Sequence, residues 1–337
     1  MKINFKIDGK NKKTIAIVVF VLLAMFLSVI YIPKNFRFEE TKIFTVEKGQ
    51  SDGKIARELE DSGIIKSGYF LRAYLLITGK HSKLQAGKYN FSSNMSMAEI
   101  ADKLARGEVI NQTITILEGW DARDIGKYLE SKDICKQAEF LELVKKDYSR
   151  DFDILKDIPS EAGIEGFIFP DTYKISGSED AEDIIKDSIA NLDKKLTPEL
   201  REAIAAQNKS IFEIMTMASI LEKEVKSLDD KKVVSGILWT RMKIGMPLQV
   251  DATINYITDG NDPGVATKDT RIDSPYNTYK YAGLPLGPIS SPGMDSILAA
   301  IYPKETNYLF YMSSRSGKTI FSKTLQEHNM AVAKYLN

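Results

Sequence analysis

The chain has 337 residues, enough for about two domains at roughly 100 to 200 residues each, and its 46 basic residues balance 46 acidic ones. A net charge of +0 lacks the basic excess of a nucleic-acid binder, so no nucleic-acid partner is expected. One cysteine, Cys135, excludes a disulfide framework and a cysteine zinc cluster. Two histidines, His81 and His328, leave little material for a histidine metal site or a Ser-His-Asp triad, so neither a metal nor a cofactor is expected.

From Thr14 to Ile32 the chain reads TIAIVVFVLLAMFLSVIYI, 19 residues without a charge. At 1.5 Å rise per residue that covers most of a bilayer's hydrocarbon. The preceding stretch carries Lys2, Lys6, Lys10, Lys12 and Lys13 against Asp8, whereas Glu39 and Glu40 follow soon after Arg37. The asymmetry predicts a cytoplasmic tail at 1–13, a transmembrane helix at 14–32, and everything after residue 33 outside the cell membrane. A cleaved signal peptide is the alternative, but the apolar run exceeds a signal's core and no A-x-A site follows it.

After a linker holding Pro33, Lys42 to Val46 reads as a strand, Gly49 as a turn, and Ile55, Ala56 and Leu59 as the inner stripe of a helix. A second copy lies 70 positions later. Gly49 aligns with Gly119, Ile55 with Ile125, Leu59 with Leu129, Ile64 with Ile134, Lys66 with Lys136 and Phe70 with Phe140. Each copy is a strand-turn-helix unit with a trailing helix. Such modules suit extracellular polymer binding, or serve as a stalk that positions the C-terminal half of the chain. Between the copies lie a strand, a Ser/Asn turn and a short amphipathic helix.

From Glu179 to Ala205, Ile184, Ile185, Ile189 and Leu192 recur as on a partly buried helix, and Pro198 starts a new one. Ile211 to Lys226 predicts a further helix, and Val233 to Met242 another that ends near Gly245. The stretch SPYNTYKYAGLPLGPISSPGMDS is loop-like, a short helix covers Asp295 to Ala300, and TNYLFYMSS with SGKTIFSK reads as a final β-hairpin.

Within MASILEKE, Glu222 is out of place. With residues set about 100° apart, Ile211 and Met215 fall within about 20° of it and Ala218 about 40° away, whereas Glu224 lands about 160° away at the far border of the apolar arc. A buried carboxylate without a partner is kept protonated by the low dielectric and can act as a general acid. The alternative is a structural carboxylate paired with a Lys or Arg elsewhere in the chain. Gln249, Asp251, Asn255, Tyr276, Asn277 and Tyr279 on or beside loops, with Glu165, Asp171 and Tyr173 around Pro170, supply hydrogen-bonding groups and aromatic faces of the kind that line carbohydrate clefts.

MASILEKE, RMKIGMPLQVDATINY, SPYNTYKYAGLPLGPISSPG and IEGFIFPDTY, in this order except that the last comes first, resemble the endolytic murein transglycosylases of the YceG-like family, over nearly the whole chain. One departure is Leu286, where the family often has a second proline. The resemblance implies an α+β fold: after the anchor, a LysM-like βα module at 33–110, a second βα repeat unit joining the domains at 111–160, and a catalytic domain at 161–337. It implies a catalytic glutamate at Glu222, with Gln249, Asp251, Tyr276, Asn277, Tyr279, Glu165 and Asp171 as substrate-binding candidates. The implied reaction cleaves the β-1,4 bond between N-acetylmuramic acid and N-acetylglucosamine in nascent glycan strands and leaves a 1,6-anhydro end. Because the sugar's own 6-hydroxyl attacks, one carboxyl serves as acid and then base, whereas a hydrolase pairs two. Implied partners are peptidoglycan strands and the cell membrane. Two other readings stay open: a non-catalytic wall-binding scaffold that recruits peptidoglycan synthases, and ordinary hydrolysis with Asp251 or Asp171 as the second carboxylate.

Overall fold

The computed structural model describes residues 9–34, 41–260 and 265–336. Lys2, Lys6, Arg37, Glu39 and Glu40, on which the expected orientation partly rests, lie outside the described residues. The fold is α+β with one long apolar helix near its N-terminus, as expected. The chain divides into two compact units, Met1–Thr113 with Lys174–Glu179, and Ile114–Tyr173 with Asp180–Asn337. The segment 111–160, expected as a joining piece, falls almost wholly in the second unit.

The first unit contains α1 (Gly9–Tyr31), β1 (Thr41–Val46), α2 (Asp52–Asp61), α3 (Gly68–Ile77), β2 (Gly87–Ser92) and α4 (Met97–Arg106). β1 and β2 pair antiparallel, Thr41 opposite Ser92 and Val46 opposite Gly87. The period of two turns Phe44, Val46, Tyr89 and Phe91 to one face, where Ile55, Ala56 and Leu59 of α2 and Ile100, Ala101 and Leu104 of α4 close over them. Fully burying each large aliphatic among these stabilises by ~1.5–3 kcal/mol. Ser96 and Glu99 form a reciprocal capping box at the start of α4, and Gly107 ends the helix in the left-handed conformation at φ +66°.

The second copy of the repeat runs through β3 (Gln112–Thr115), α5 (Ala122–Ser131) and α6 (Gln137–Val144). The 70-residue offset seen in the sequence separates the starts of α2 and α5 (122 − 52), and Gly49 and Gly119 share the same turn at φ +78°. β3 pairs with β4 (Thr172–Ile175). Then come α7 (Ala181–Lys195), α8 (Pro198–Ala205, Pro198 in its first turn), α9 (Ile211–Glu224), α10 (Leu228–Lys243), α11 (Asp251–Thr258), α12 (Met294–Ile301), the antiparallel hairpin β5 (Phe310–Ser313) and β6 (Thr319–Ser322), and α13 (Leu325–Tyr335).

α9 is the axis of this unit. It packs against α8, α10, α11 and α12, and every residue from Ile214 to Leu221 is buried. Two elements differ from expectation. Asp251 and Asn255, expected on or beside loops, lie on α11, with Asp251 at its start, because the apolar positions Ala252 and Ile254 find cover in the core. α13 comes after the hairpin, its first turn capped by Thr324, whose hydroxyl accepts from the Glu327 amide at 3.1 Å. Thr-x-x-Glu is a helix-start signature that was available in the sequence.

α10 is held close to the segment after α12. A Cβ on Gly236 would stand 2.0 Å from the Lys304 carbonyl oxygen, and the Lys304 amide donates to the Lys232 carbonyl at 2.9 Å. Gly236→Ala should therefore force this backbone apart and cost ~1–3 kcal/mol, the usual range for overpacking. Chemical denaturation of the purified chain measures it, and a variant as stable as the parent contradicts the close packing.

Candidate active site

The helix α9 ends on two glutamates, two residues and about 200° apart, so their carboxyls enter different surroundings. Glu222 enters a polar cluster enclosed by protein. Its Oε2 accepts from the Ser296 hydroxyl at 2.6 Å and the Gly293 amide at 3.0 Å, and Lys231 Nζ lies 3.2 Å away. The ion pair is shielded, with side-chain exposures of 5% for Lys231 and 10% for Glu222. The expectation of an unpartnered Glu222 on an oily face is thus corrected. Its partner is the basic residue on another helix that the alternative reading required.

A second carboxyl joins this cluster. The turn between β3 and α5 is tied to the loop after residue 289 by two backbone bonds, Gly119 N to Ser291 O at 2.8 Å and Ser291 N to Trp120 O at 2.7 Å. This lays Glu118 on Gly293, where a Cβ would stand 2.0 Å from the Glu118 carboxylate. Burial raises the pKa of Glu118, and the neighbouring Glu222 raises it further while Lys231 opposes them.

Glu224 faces a cavity of about 760 Å³, within the size range of small-molecule sites. The cavity is lined by Gln249, Asp251, Asn255, Tyr279 and Tyr311, and also by Asp121, Arg123, Asp124 and Asp259. The Tyr311 hydroxyl donates to Glu224 Oε2 at 2.9 Å. Burial pushes the Glu224 carboxyl up to about 7; the Tyr311 bond and the Ala252 amide work against the rise, and the Asp251 charge adds to it. At neutral pH this group therefore exists in both protonation states, the condition for donating and later accepting a proton.

Arg241 builds much of the wall. Its buried guanidinium donates to the Leu248 carbonyl and the Leu309 carbonyl, both at 2.7 Å, and so fixes the residues that precede Gln249 and Phe310. Gln249 sits in the left-handed region at φ +52°, its amide held by the Thr278 carbonyl at 3.0 Å. For a non-glycine residue that conformation costs of order 1 kcal/mol or more, and the surrounding bonds hold it in place. Asp251 opens α11 and accepts a hydrogen bond from the Tyr279 hydroxyl. Across the cavity, Arg123 donates to Asp121 through Nε at 2.9 Å and lies over the Tyr256 ring at 4.9 Å.

Of the residues expected to bind substrate, Gln249, Asp251 and Tyr279 meet in this cavity. The others do not. Glu165 is buried against a second cavity of about 720 Å³ shared with Tyr276. Glu165 accepts from the Ala122 amide at 3.0 Å and the Gly166 amide at 3.2 Å, so it secures the start of α5, and burial pushes its carboxyl up to about 8. Tyr276 packs on Tyr256 with centroids 4.9 Å apart. Asn277 is fully buried and spends its amide on its own loop: Nδ2 donates to the Thr270 and Ile272 carbonyls, while Oδ1 accepts from the Tyr279 and Lys280 amides. Asp171 is exposed and bonded to Asn191. Among the described residues no group of three or more His, Cys, Asp or Glu is placed to hold a metal ion.

Sequence reasoning passed over Glu224, Tyr311 and Arg241. The angular position of Glu224 counted against it on the assumption of a single apolar face, which α9 does not have. Tyr311 reads only as an alternating strand residue, and the pairing that brings β5 to α9 spans 87 positions.

The YceG-like family profile matches residues 44–334. The endolytic murein transglycosylase of Bacillus subtilis (strain 168) is 33% identical over 307 residues, an alignment covering 87% of this chain and 84% of that protein. The endolytic murein transglycosylase of Streptococcus pneumoniae (serotype 2, strain D39) is 29% identical over 320 residues, and this chain spans 58% of its length. A solved structure of a yceG-like protein from Listeria monocytogenes aligns with a TM-score of 0.60 at 30% identity, covering 87% of this chain and all of that one.

Removing one partner of an enclosed ion pair leaves the other charge uncompensated. Lys231→Met should therefore destabilise the fold by ~3–5 kcal/mol, whereas Lys231→Met combined with Glu222→Gln should recover much of the loss. Denaturation of both variants decides it, and a single variant as stable as the parent contradicts a structural role for the pair.

Proposed function

The chain belongs to the YceG-like family, and from that premise we propose that it is a membrane-anchored endolytic lytic transglycosylase of peptidoglycan. The bond cleaved is the β-1,4 linkage from N-acetylmuramic acid to N-acetylglucosamine within a strand. The observation that carries the reading is a carboxyl pushed up to about 7 on the floor of a cavity lined by polar and aromatic groups. That carboxyl is Glu224. The catalytic role expected for Glu222 is assigned to Glu224, because Glu222 is held by Lys231, Ser296 and Gly293 and is not among the residues lining the cavity.

Protonated Glu224 gives its proton to the glycosidic oxygen as the bond to the anomeric carbon breaks. The 6-hydroxyl of the same muramyl residue attacks that carbon, and its proton passes to the ionised Glu224, which regenerates the acid. No water is consumed, and the product is a 1,6-anhydro end. Intramolecular attack supplies the proximity that a hydrolase must create for a water molecule. Asp251, oriented by Tyr279, places negative charge beside the oxocarbenium-like centre. Gln249 and Tyr279 offer hydrogen bonds and a ring face to the sugars. α1 would hold the enzyme on the cell membrane, with residues after 33 outside, where nascent strands emerge.

Digestion of purified glycan strands followed by mass spectrometry tests the assignment, since a reducing end weighs one water more than an anhydro end. The parent should release anhydro ends. Glu224→Gln should lower the rate by about 100- to 10,000-fold, the usual worth of a general acid-base group, with strand binding retained. Loss of activity in folded Glu222→Gln with normal Glu224→Gln would return the role to Glu222; strand binding without any product from the parent would favour a scaffold. Because the acid form starts the reaction, the rate should fall as pH rises through about 7, the value set by burial of Glu224.

A further inference from the structure

α1 does not stand apart from the folded part of its unit. Ile30 near its end is completely buried, and Phe26 and Val29 pack against the same core. The Phe26 ring meets Phe70 of α3 at 5.8 Å and the Tyr31 ring meets Tyr74 at 6.4 Å. Two ammonium groups add ties: Lys66 Nζ donates to the Ile32 carbonyl at 3.0 Å, and Lys34 Nζ donates to the Gly63 carbonyl at 3.2 Å. α3 is thereby fixed alongside the last turns of the apolar helix.

This placement has a depth. The apolar run of α1 extends from Lys13 to Tyr31. Phe26 lies five residues before Tyr31, about 7.5 Å along the axis at the helical rise. A ring packed on Phe26 lies at that same level, inside the apolar span and not beyond it. The outer surface of α3 matches. Tyr69, Leu76 and Ile77 are exposed at 76%, 63% and 73%. Positions i, i+7 and i+8 share one helix face. Single exposed apolar side chains are ordinary on a protein surface, but three on one face of an apolar ten-residue helix, beside a membrane-length helix, are not scattered.

We propose that α3 is an interfacial membrane helix, with Tyr69, Leu76 and Ile77 seated in the acyl–headgroup boundary of the leaflet that α1 leaves. Helices lying in that plane bury their apolar face by about 5–10 Å, which matches the level of Phe26. The amines of Lys34 and Lys66 flank the same junction, where cationic side chains meet lipid headgroups. The first unit is then docked on the bilayer through two elements, a spanning helix and a surface helix, and does not swing on a flexible linker. The proposal rests on the reading of α1 as a membrane anchor.

Site-directed spin labelling of the full chain, with Cys135→Ser as background, tests it in vesicles of phosphatidylethanolamine and phosphatidylglycerol. Labels go on Leu76→Cys, Ile77→Cys and, within α1, Phe20→Cys; all three native side chains are exposed, so the labels disturb no core. Collision with dissolved oxygen reports lipid, and collision with a water-soluble nickel complex reports water. The proposal expects oxygen-favoured accessibility at 76 and 77, approaching that at 20. Oxygen preference at 20 with nickel preference at 76 and 77 overturns the docking and leaves the anchor standing. Nickel preference at 20 removes the anchor itself. Shielding of 76 and 77 from both reagents shows a protein partner on α3 and also overturns the proposal.

Discussion

A helix buried all round through its middle turns that nonetheless ends in two carboxylates is the constraint around which the second unit is organised. α9 packs against four other helices and both carboxyls are largely withdrawn from solvent, and a lone carboxylate removed from water is costly. The structure answers the problem twice. Glu222 takes Lys231, the Ser296 hydroxyl and the Gly293 amide as partners. Glu224 receives too little compensation from Tyr311 and the Ala252 amide, and its proton stays bound until about pH 7. One carboxyl is tied into an ion pair and the other faces the cavity.

Supports for the second carboxyl come from distant parts of the chain. Arg241 spends its donors on the carbonyls of Leu248 and Leu309, which brings the strained Gln249 and the strand bearing Tyr311 to the same cavity. The repeat contributes as well. Its first copy has Lys48 and Ser51 around the Gly49 turn, whereas the second has Glu118 and Asp121 around Gly119. The backbone turn is the same in both, at φ +78°. In the second copy Glu118 lies against Gly293 and Asp121 lines the cavity. A local scaffold was thus reused with different side chains at the tip, as turns on rigid elements allow.

Much of the architecture was legible because its signals are local. The charge-free run before residue 33, Pro198 at a helix start and the alternation in the final hairpin each need only a short stretch to be read, and the repeat needs only the comparison of two such stretches. The start of α13 is equally local, marked by Thr324 and Glu327. Asp251, expected on or beside a loop, opens the eight-residue α11, too short a stretch for its helical period to stand out in the sequence.

By itself the sequence determined that an apolar segment precedes an α+β body and that MASILEKE is a helix carrying misplaced charge; among its seven substrate-binding candidates it did not separate Gln249, Asp251 and Tyr279, which share a cavity, from Glu165, Asp171, Tyr276 and Asn277, which do not line it. Only the tertiary structure showed how different the surroundings of the two glutamates are. Helical periodicity ranks positions by a single apolar direction, and a helix packed on all sides has no such direction. What separates Glu222 from Glu224 is the identity of their neighbours: Lys231 from the next helix for one, Tyr311 from a strand far along the chain for the other. Burial and counter-charge set the protonation of a carboxyl, and both are properties of the packed chain.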